Sequence, residues 1–179
     1  MVIYSPAEDS CFLSESIVFD FKDKMLKALD MGSGSGFQAK TLIGKGIDPK
    51  KITLVDINPK VIVHLKKNFP KSRTIKSDLF LKVNGKYDLI VFNPPYLPED
   101  KYDQGMDTSG GKEGDETIVE FLKQLNKHLN KDGKCFLLTS SLTPMTKIKQ
   151  EFKNYNVKIV AHKKLFFEEL FVHEICLKK

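Results

Sequence analysis

The sequence predicts an α/β fold: a doubly wound, mostly parallel seven-stranded sheet that ends in a C-terminal antiparallel hairpin. Three observations predict it. Seven short apolar runs alternate with segments of helical period along the chain. Residues able to do chemistry stand directly after several of those runs, where open α/β sheets bind ligands. The last two runs, "YNVKIVAH" and "LFVHEICL", are separated by about seven residues, a connection suited to a hairpin.

Taken in order, "AEDSCFLSESIVFD" follows the turn-like Ser5-Pro6 and places Cys11, Phe12, Ser16 or Ile17, and Val18 near helical spacing, so a helix begins near Ala7. "KMLKALDMGSGSGF" reads as a short strand running into a glycine loop, and "FQAKTLIGKG" as a helix closed by Gly44 or Gly46. "KITLVDINP" is a second strand. A helix from Pro59 to about Asn68 follows, with proline in the first turn, where its missing N–H costs nothing. "RTIKSDLF" contains a weak strand and "YDLIVF" a strong one. "ETIVEFLKQLNKHL" puts Ile118, Phe121, Leu122 and Leu125 on one helix face, and "KCFLLTS" is the strand before the terminal hairpin.

With 179 residues and 41% apolar content, the chain is expected to form one domain over 1–179, with a helical lead-in at 1–24 and an active-site loop at 93–116. Cys11, Cys135 and Cys176 are odd in number and far apart, and read as reduced core residues. The four histidines lack metal-ligand spacing, so no metal is assigned. No apolar run reaches membrane-spanning length, and acids near the N-terminus argue against a signal peptide, which together predict a soluble, cytoplasmic protein. The net charge of +6 is compatible with nucleic acid, but the lysines are scattered among loops and helix faces, as on a solvated surface.

Three strand ends carry acids. "DMGSGSG" sets Asp30 before Gly32, Gly34 and Gly36; it departs from the spacing of a dinucleotide dehydrogenase and lacks the Gly-Lys-Ser/Thr of a phosphate loop. An acid there would repel pyrophosphate and suit a cationic ligand. Asp56, after the second strand, can accept from both hydroxyls of a ribose; alternatively it caps the next helix. Asp78 can accept from an adenine amino group, and the N–H of Leu79 can donate to a ring nitrogen.

This series, with Asn93-Pro94-Pro95-Tyr96 after the fourth strand, resembles the class I S-adenosylmethionine-dependent methyltransferases that act on a planar nitrogen. "YSPAEDS", "SDLF", "GGKEG" and "EELFVHEICL" look most like the HemK-type protein glutamine N5-methyltransferases, which modify the Gly-Gly-Gln loop of class I peptide release factors. The lead-in before the glycine loop is short, which matches the archaeal and eukaryotic branch of that family. The resemblance implies S-adenosylmethionine as cofactor and S-adenosylhomocysteine as product. It also implies cofactor contacts at Ser10, Asp30, Gly32, Gly34, Gly36, Asp56, Asp78, Leu79 and Asn93.

In this setting Asn93, Pro94 and Tyr96 acquire catalytic roles. An amide nitrogen is a poor nucleophile because its lone pair is delocalised. The Asn93 side-chain oxygen and the Pro94 carbonyl can each accept one of its N–H bonds, orienting it and favouring the charge that develops, while Tyr96 stacks on the planar group. The same tetrapeptide serves DNA adenine N6, RNA guanine N2 and protein glutamine, so a nucleic-acid base methyltransferase is the alternative. A lysine methyltransferase, a non-catalytic cofactor-binding scaffold and a dehydrogenase rank below it. The segment 99–116 holds seven acids against two lysines, a rim that would disfavour a phosphate backbone. The resemblance further implies a small zinc-binding activator subunit. The third strand, near Ser72–Lys76, is expected at a sheet edge and is the predicted contact.

Overall fold

The structure, a computed structural model, describes residues 8–19, 26–96 and 113–178. A seven-stranded sheet runs β3(Arg73–Lys76), β2(Ile52–Asp56), β1(Ala28–Met31), β4(Tyr87–Phe92), β5(Leu129–Ser140), β7(Glu169–Leu177), β6(Tyr155–Lys164). The first five are parallel, whereas β7 pairs antiparallel with both β5 and β6. The chain winds outward from β1 to β3, then returns to the other side of β1 as β4. That reversal opens a crevice at the carboxyl ends of β1 and β4.

The parallel strands are apolar on both faces because helices cover both. Leu29, Met31, Ile90, Phe92 and Leu137 meet Ile118, Phe121, Leu122 and Leu125 of α4(Glu116–His128) and Ile148 of α5(Met145–Phe152). On the opposite face Ala28, Leu54, Leu89, Val91 and Phe136 meet α1(Glu8–Ser16), α2(Phe37–Gly44) and α3(Pro59–Asn68). Period-2 alternation along β1 and β4 thus assigns successive residues to different layers. Among the described residues, no helix is long and apolar enough to cross a membrane.

Several expectations need correction. Helix α5 was not anticipated: it has only eight residues, and its signal was Met145, Ile148 and Phe152 at spacings of three and four after Pro144. Strand β5 starts at Leu129, ahead of "KCFLLTS", because Leu129 already pairs with Tyr87 before the register shifts. The terminal hairpin is closed by residues 165–168, a shorter connection, since both strands extend into it. Both glycines expected to close α2 have a part in its end: Gly44 is its last residue, and Gly46, at φ 101, turns the chain just beyond it, where the N–H of Ile47 reaches back to the Leu42 carbonyl. Of the cysteines only Cys135 is buried, Cys11 being exposed and Cys176 half-buried. In α1 and just after it the core-facing residues are Phe12, Leu13 and Ile17, while Val18 is 74% exposed. Most of the acidic segment, residues 99–112, lies outside the described residues. Of its remainder, Asp115 is buried and Glu116 opens α4.

Candidate active site

A cleft of about 440 Å³ opens at the carboxyl ends of β1, β2, β3 and β4. Its walls include Ser10, Asp30, Gly32, Gly34, Asp56, Asp78, Leu79, Asn93, Pro94 and Tyr96. These residues are distributed over some ninety positions in sequence, and four strand ends with the start of α1 bring them together.

The glycine loop is pinned to β2. Ser33 donates its N–H to the Val55 carbonyl at 2.9 Å and accepts the Val55 N–H on Oγ at 3.0 Å. Gly32, Gly34 and Gly36 have φ of 62°, 51° and 82°, a region that costs an L-residue strain. At Gly36 the need is steric as well, because an added Cβ would lie 2.2 Å from the Phe69 ring. Gly36 therefore turns the chain into α2 against Phe69 and Leu65; it is absent from the cleft wall, unlike the other two glycines.

Asp56 does not cap α3. That role falls to Asn58, whose Oδ1 accepts from the Lys60 N–H at 2.9 Å. The Asp56 carboxylate accepts instead from Gly34 N–H (2.9 Å) and Asn58 N–H (2.8 Å), which tie the glycine loop to the β2 end and hold the group at the cleft wall. Asp30 is 1% exposed and accepts from Ala39 N–H in the first turn of α2 at 3.2 Å. Burial pushes its carboxyl up to about 8; the Ala39 N–H opposes this, and the nearby Asp56 charge adds to it. At the β3 end Asp78 is exposed, and Leu79 adopts φ 41. A leucine in the left-handed region is an uncommon, strained choice of the kind found at binding sites.

Asn93 follows β4 directly. Its Nδ2 donates to Asp9 Oδ2 at 3.0 Å and to Ser10 Oγ at 3.2 Å. Its Oδ1 is buried and has no hydrogen-bond partner among the described residues. A buried amide oxygen without a donor is costly and calls for an explanation. Pro94 and Pro95 restrict the backbone beyond it, and Tyr96, half-buried, packs against the apolar layers on both faces of the sheet. The cleft thus combines carboxylates suited to a polyhydroxylated, cationic ligand with an acceptor that lacks a donor, and in both respects its residues fit S-adenosylmethionine beside an N–H-bearing group. Sequence reasoning missed Asp9 and Gln38, whose Nε2 donates to the Ser10 carbonyl at 2.9 Å. The signal at Asp9 was an acid next to Ser10 in a helix first turn, a position that the helix dipole alone explains.

The methyltransferase small domain model matches residues 11–167 of the chain. A Methanocaldococcus jannaschii protein named "Putative protein N5-glutamine methyltransferase" is 39% identical, over 95% of this chain and 89% of that one. Ribosomal RNA small subunit methyltransferase C of Haemophilus influenzae is 28% identical over 73% of this chain, but the match spans only 38% of that enzyme. Among solved structures, the E. cuniculi Mtq2–Trm112 complex, described as responsible for methylating the eRF1 translation termination factor, superposes with a TM-score of 0.72 at 20% identity, covering 98% of both chains. At that identity the likeness establishes the fold.

Proposed function

The chain belongs to the methyltransferase small domain family, and from that premise we propose that it methylates the side-chain amide nitrogen of a protein glutamine, that of the Gly-Gly-Gln loop in a class I peptide release factor. The cofactor is S-adenosylmethionine, which when bound supplies a methyl group made electrophilic by its sulfonium.

The observation that carries the reading is the Asn93 oxygen, buried and without a donor among the described residues. A primary amide has two N–H bonds to give. Asn93 Oδ1 would take one and the Pro94 carbonyl the other, which would fix the orientation of the nitrogen in the cleft. Tyr96 holds the amide plane. These acceptors stabilise the positive charge that grows on nitrogen, so that no strong base is needed before transfer. Asp56 would take the ribose hydroxyls, Asp78 and Leu79 the adenine edge, and Ser10, Asp30, Gly32 and Gly34 the amino-acid end, all of them lining the cleft. Gly36 supports the loop from behind.

Glutamine is favoured over an RNA base by the extent of the match to the glutamine methyltransferase relative, which covers nearly all of that protein. The RNA enzymes match over a minority of theirs. A small activator subunit, in the likeness of the Mtq2–Trm112 pair, would add to the β3 edge. There Thr74 and Ile75 are half-buried, while Arg73 and Lys76 are exposed. Such an activator is read as zinc-binding.

The deciding experiment incubates the protein, with and without a co-expressed activator, with S-adenosylmethionine and either a purified release factor or ribosomal RNA. Peptide mass spectrometry showing one added methyl on the Gly-Gly-Gln glutamine supports the reading. Label appearing only in RNA overturns it.

A further inference from the structure

Asn93 can serve as an acceptor only if its carboxamide is turned with oxygen toward the cleft, and nothing within the Asn-Pro-Pro-Tyr turn itself dictates that orientation. We propose that Asp9 is the positioning residue that sets it; the inference rests on the role given to Asn93 above.

The argument is one of donors and acceptors. Asp9 is 8% exposed and sits in the first turn of α1. Its Oδ1 accepts the Ser10 N–H at 2.6 Å, and its Oδ2 accepts from Asn93 Nδ2 at 3.0 Å. A carboxylate only accepts, so just one of the two carboxamide orientations can bond to it. Turned the other way, Asn93 would set its oxygen against the carboxylate and direct its NH₂ into the cleft, where it would oppose an incoming amide NH₂. The Ser10 hydroxyl, 3.2 Å from the same Nδ2, accepts either orientation by rotating its proton and cannot choose between them. Asp9 makes the choice.

Asp9 is itself fixed by a chain of bonds from α2. Ser14 Oγ donates to Gln38 Oε1 at 2.9 Å and lies 3.0 Å from Thr41 Oγ1, while Gln38 Nε2 donates to the Ser10 carbonyl. Helix α1 is therefore docked on α2 by polar contacts and reaches across to a residue 84 positions away in sequence. Without that docking the β4 turn would keep its prolines and lose the direction of its acceptor.

The test exchanges the two side chains. Asp9→Asn alone cannot accept from both Ser10 N–H and Asn93 Nδ2. Asn93→Asp alone places two carboxylates face to face. Each is expected to lower kcat by about 10- to 100-fold, as for other groups that orient an active-site ligand; the melting temperature should stay near wild type in Asp9→Asn and fall in Asn93→Asp, where the facing carboxylates repel. The double variant Asp9→Asn/Asn93→Asp restores a donor facing an acceptor. Its amide oxygen at position 9 still accepts the Ser10 N–H, and its carboxylate at position 93 turns an oxygen toward the substrate. It is expected to recover kcat relative to both single variants. A folded, cofactor-binding double variant no more active than the weaker single variant overturns the assignment.

A second readout needs no turnover. The Asn93 side-chain NH₂ signals, identified by their loss in Asn93→Asp, should shift and exchange faster with solvent in Asp9→Ala. Unchanged signals and exchange overturn the proposal. If the wild type methylates no glutamine, the proposed function fails, and these signals alone decide the role of Asp9.

Discussion

Two buried carboxylates on the same sheet, Asp30 and Glu174, show how differently its halves are built. Asp30, at the end of β1, is pushed up by burial, meets a second carboxylate at Asp56, and is held by the Ala39 N–H. Burial works in the same direction on Glu174 in β7, but hydrogen bonds from Lys158 and Lys134, at 2.9 Å and 3.0 Å, outweigh it and hold its carboxyl below the usual range. The contrast extends to the backbone. Gly32, Gly34, Gly36 and Leu79 all have positive φ just past the ends of β1 and β3, whereas no described residue of β5, β6 or β7 does. The antiparallel half also satisfies its polar groups: His173, buried and pushed down to about 4, bonds Thr139 at 2.8 Å. The parallel half leaves Asn93 Oδ1 without a donor among the described residues. One region spends its polar groups on the fold and the other reserves them for ligands.

The sharpest way to break that contrast is Asn93→Ala. Losing a preorganised acceptor should cut methyl transfer by about 10²–10³-fold while S-adenosylmethionine affinity, measured by calorimetry, falls far less. A variant that retains most of its turnover would remove Asn93 from the chemistry.

Next in size, Gly36→Ala confronts both the 82° φ and the Phe69 ring. Overpacking and left-handed strain together should destabilise the fold by about 3 kcal/mol, read as a lowered urea midpoint. The same change at Gly44, whose φ is not positive and where an added Cβ meets nothing within 4 Å, should leave the midpoint at or above that of the wild type.

The two carboxylates give opposite pH dependences. Asp30, raised from 3.8 to about 8 in the folded protein, contributes stability that is lost as pH rises toward and through 8. Glu174, lowered from 4.5, contributes stability present above that value and lost as pH falls through its lowered folded pKa. The fall in melting temperature between about pH 4 and 8 should therefore be shallower in Asp30→Asn, and the fall below about pH 4.5 shallower in Glu174→Gln. Identical profiles for the two variants would abolish the distinction.

The smallest effect belongs to Tyr155→Phe. The phenol donates to the Leu122 carbonyl and accepts the Asn126 N–H at 3.2 Å. Its loss should cost about 1 kcal/mol, visible in thermal melts, with methyl transfer unchanged because none of these residues lines the cleft.

What was legible in advance followed local rules. Pro59 in the first turn marked the start of α3, and "YDLIVF" and "KITLVD" marked buried strands. The edge position of β3 followed from a winding rule. Helix α5 escaped because eight residues with one fully buried side chain carry too little periodicity. Asp56 read as a ribose-binding acid with a helix cap as the lesser alternative, since both roles suit an acid before a helix; the Asn58 contact with Lys60 removes the cap.

By itself the sequence determined the alternation of strands and helices, the acids at successive strand ends and the Asn-Pro-Pro-Tyr turn, because hydrophobic period and turn chemistry act over a few residues. Tertiary structure alone decided which acid is buried, that Gly36 packs against Phe69 rather than the cleft, and that Asp9 faces Asn93. Those outcomes depend on desolvation and on donor–acceptor pairing between segments far apart in sequence. Neither quantity exists until the sheet has brought those segments together.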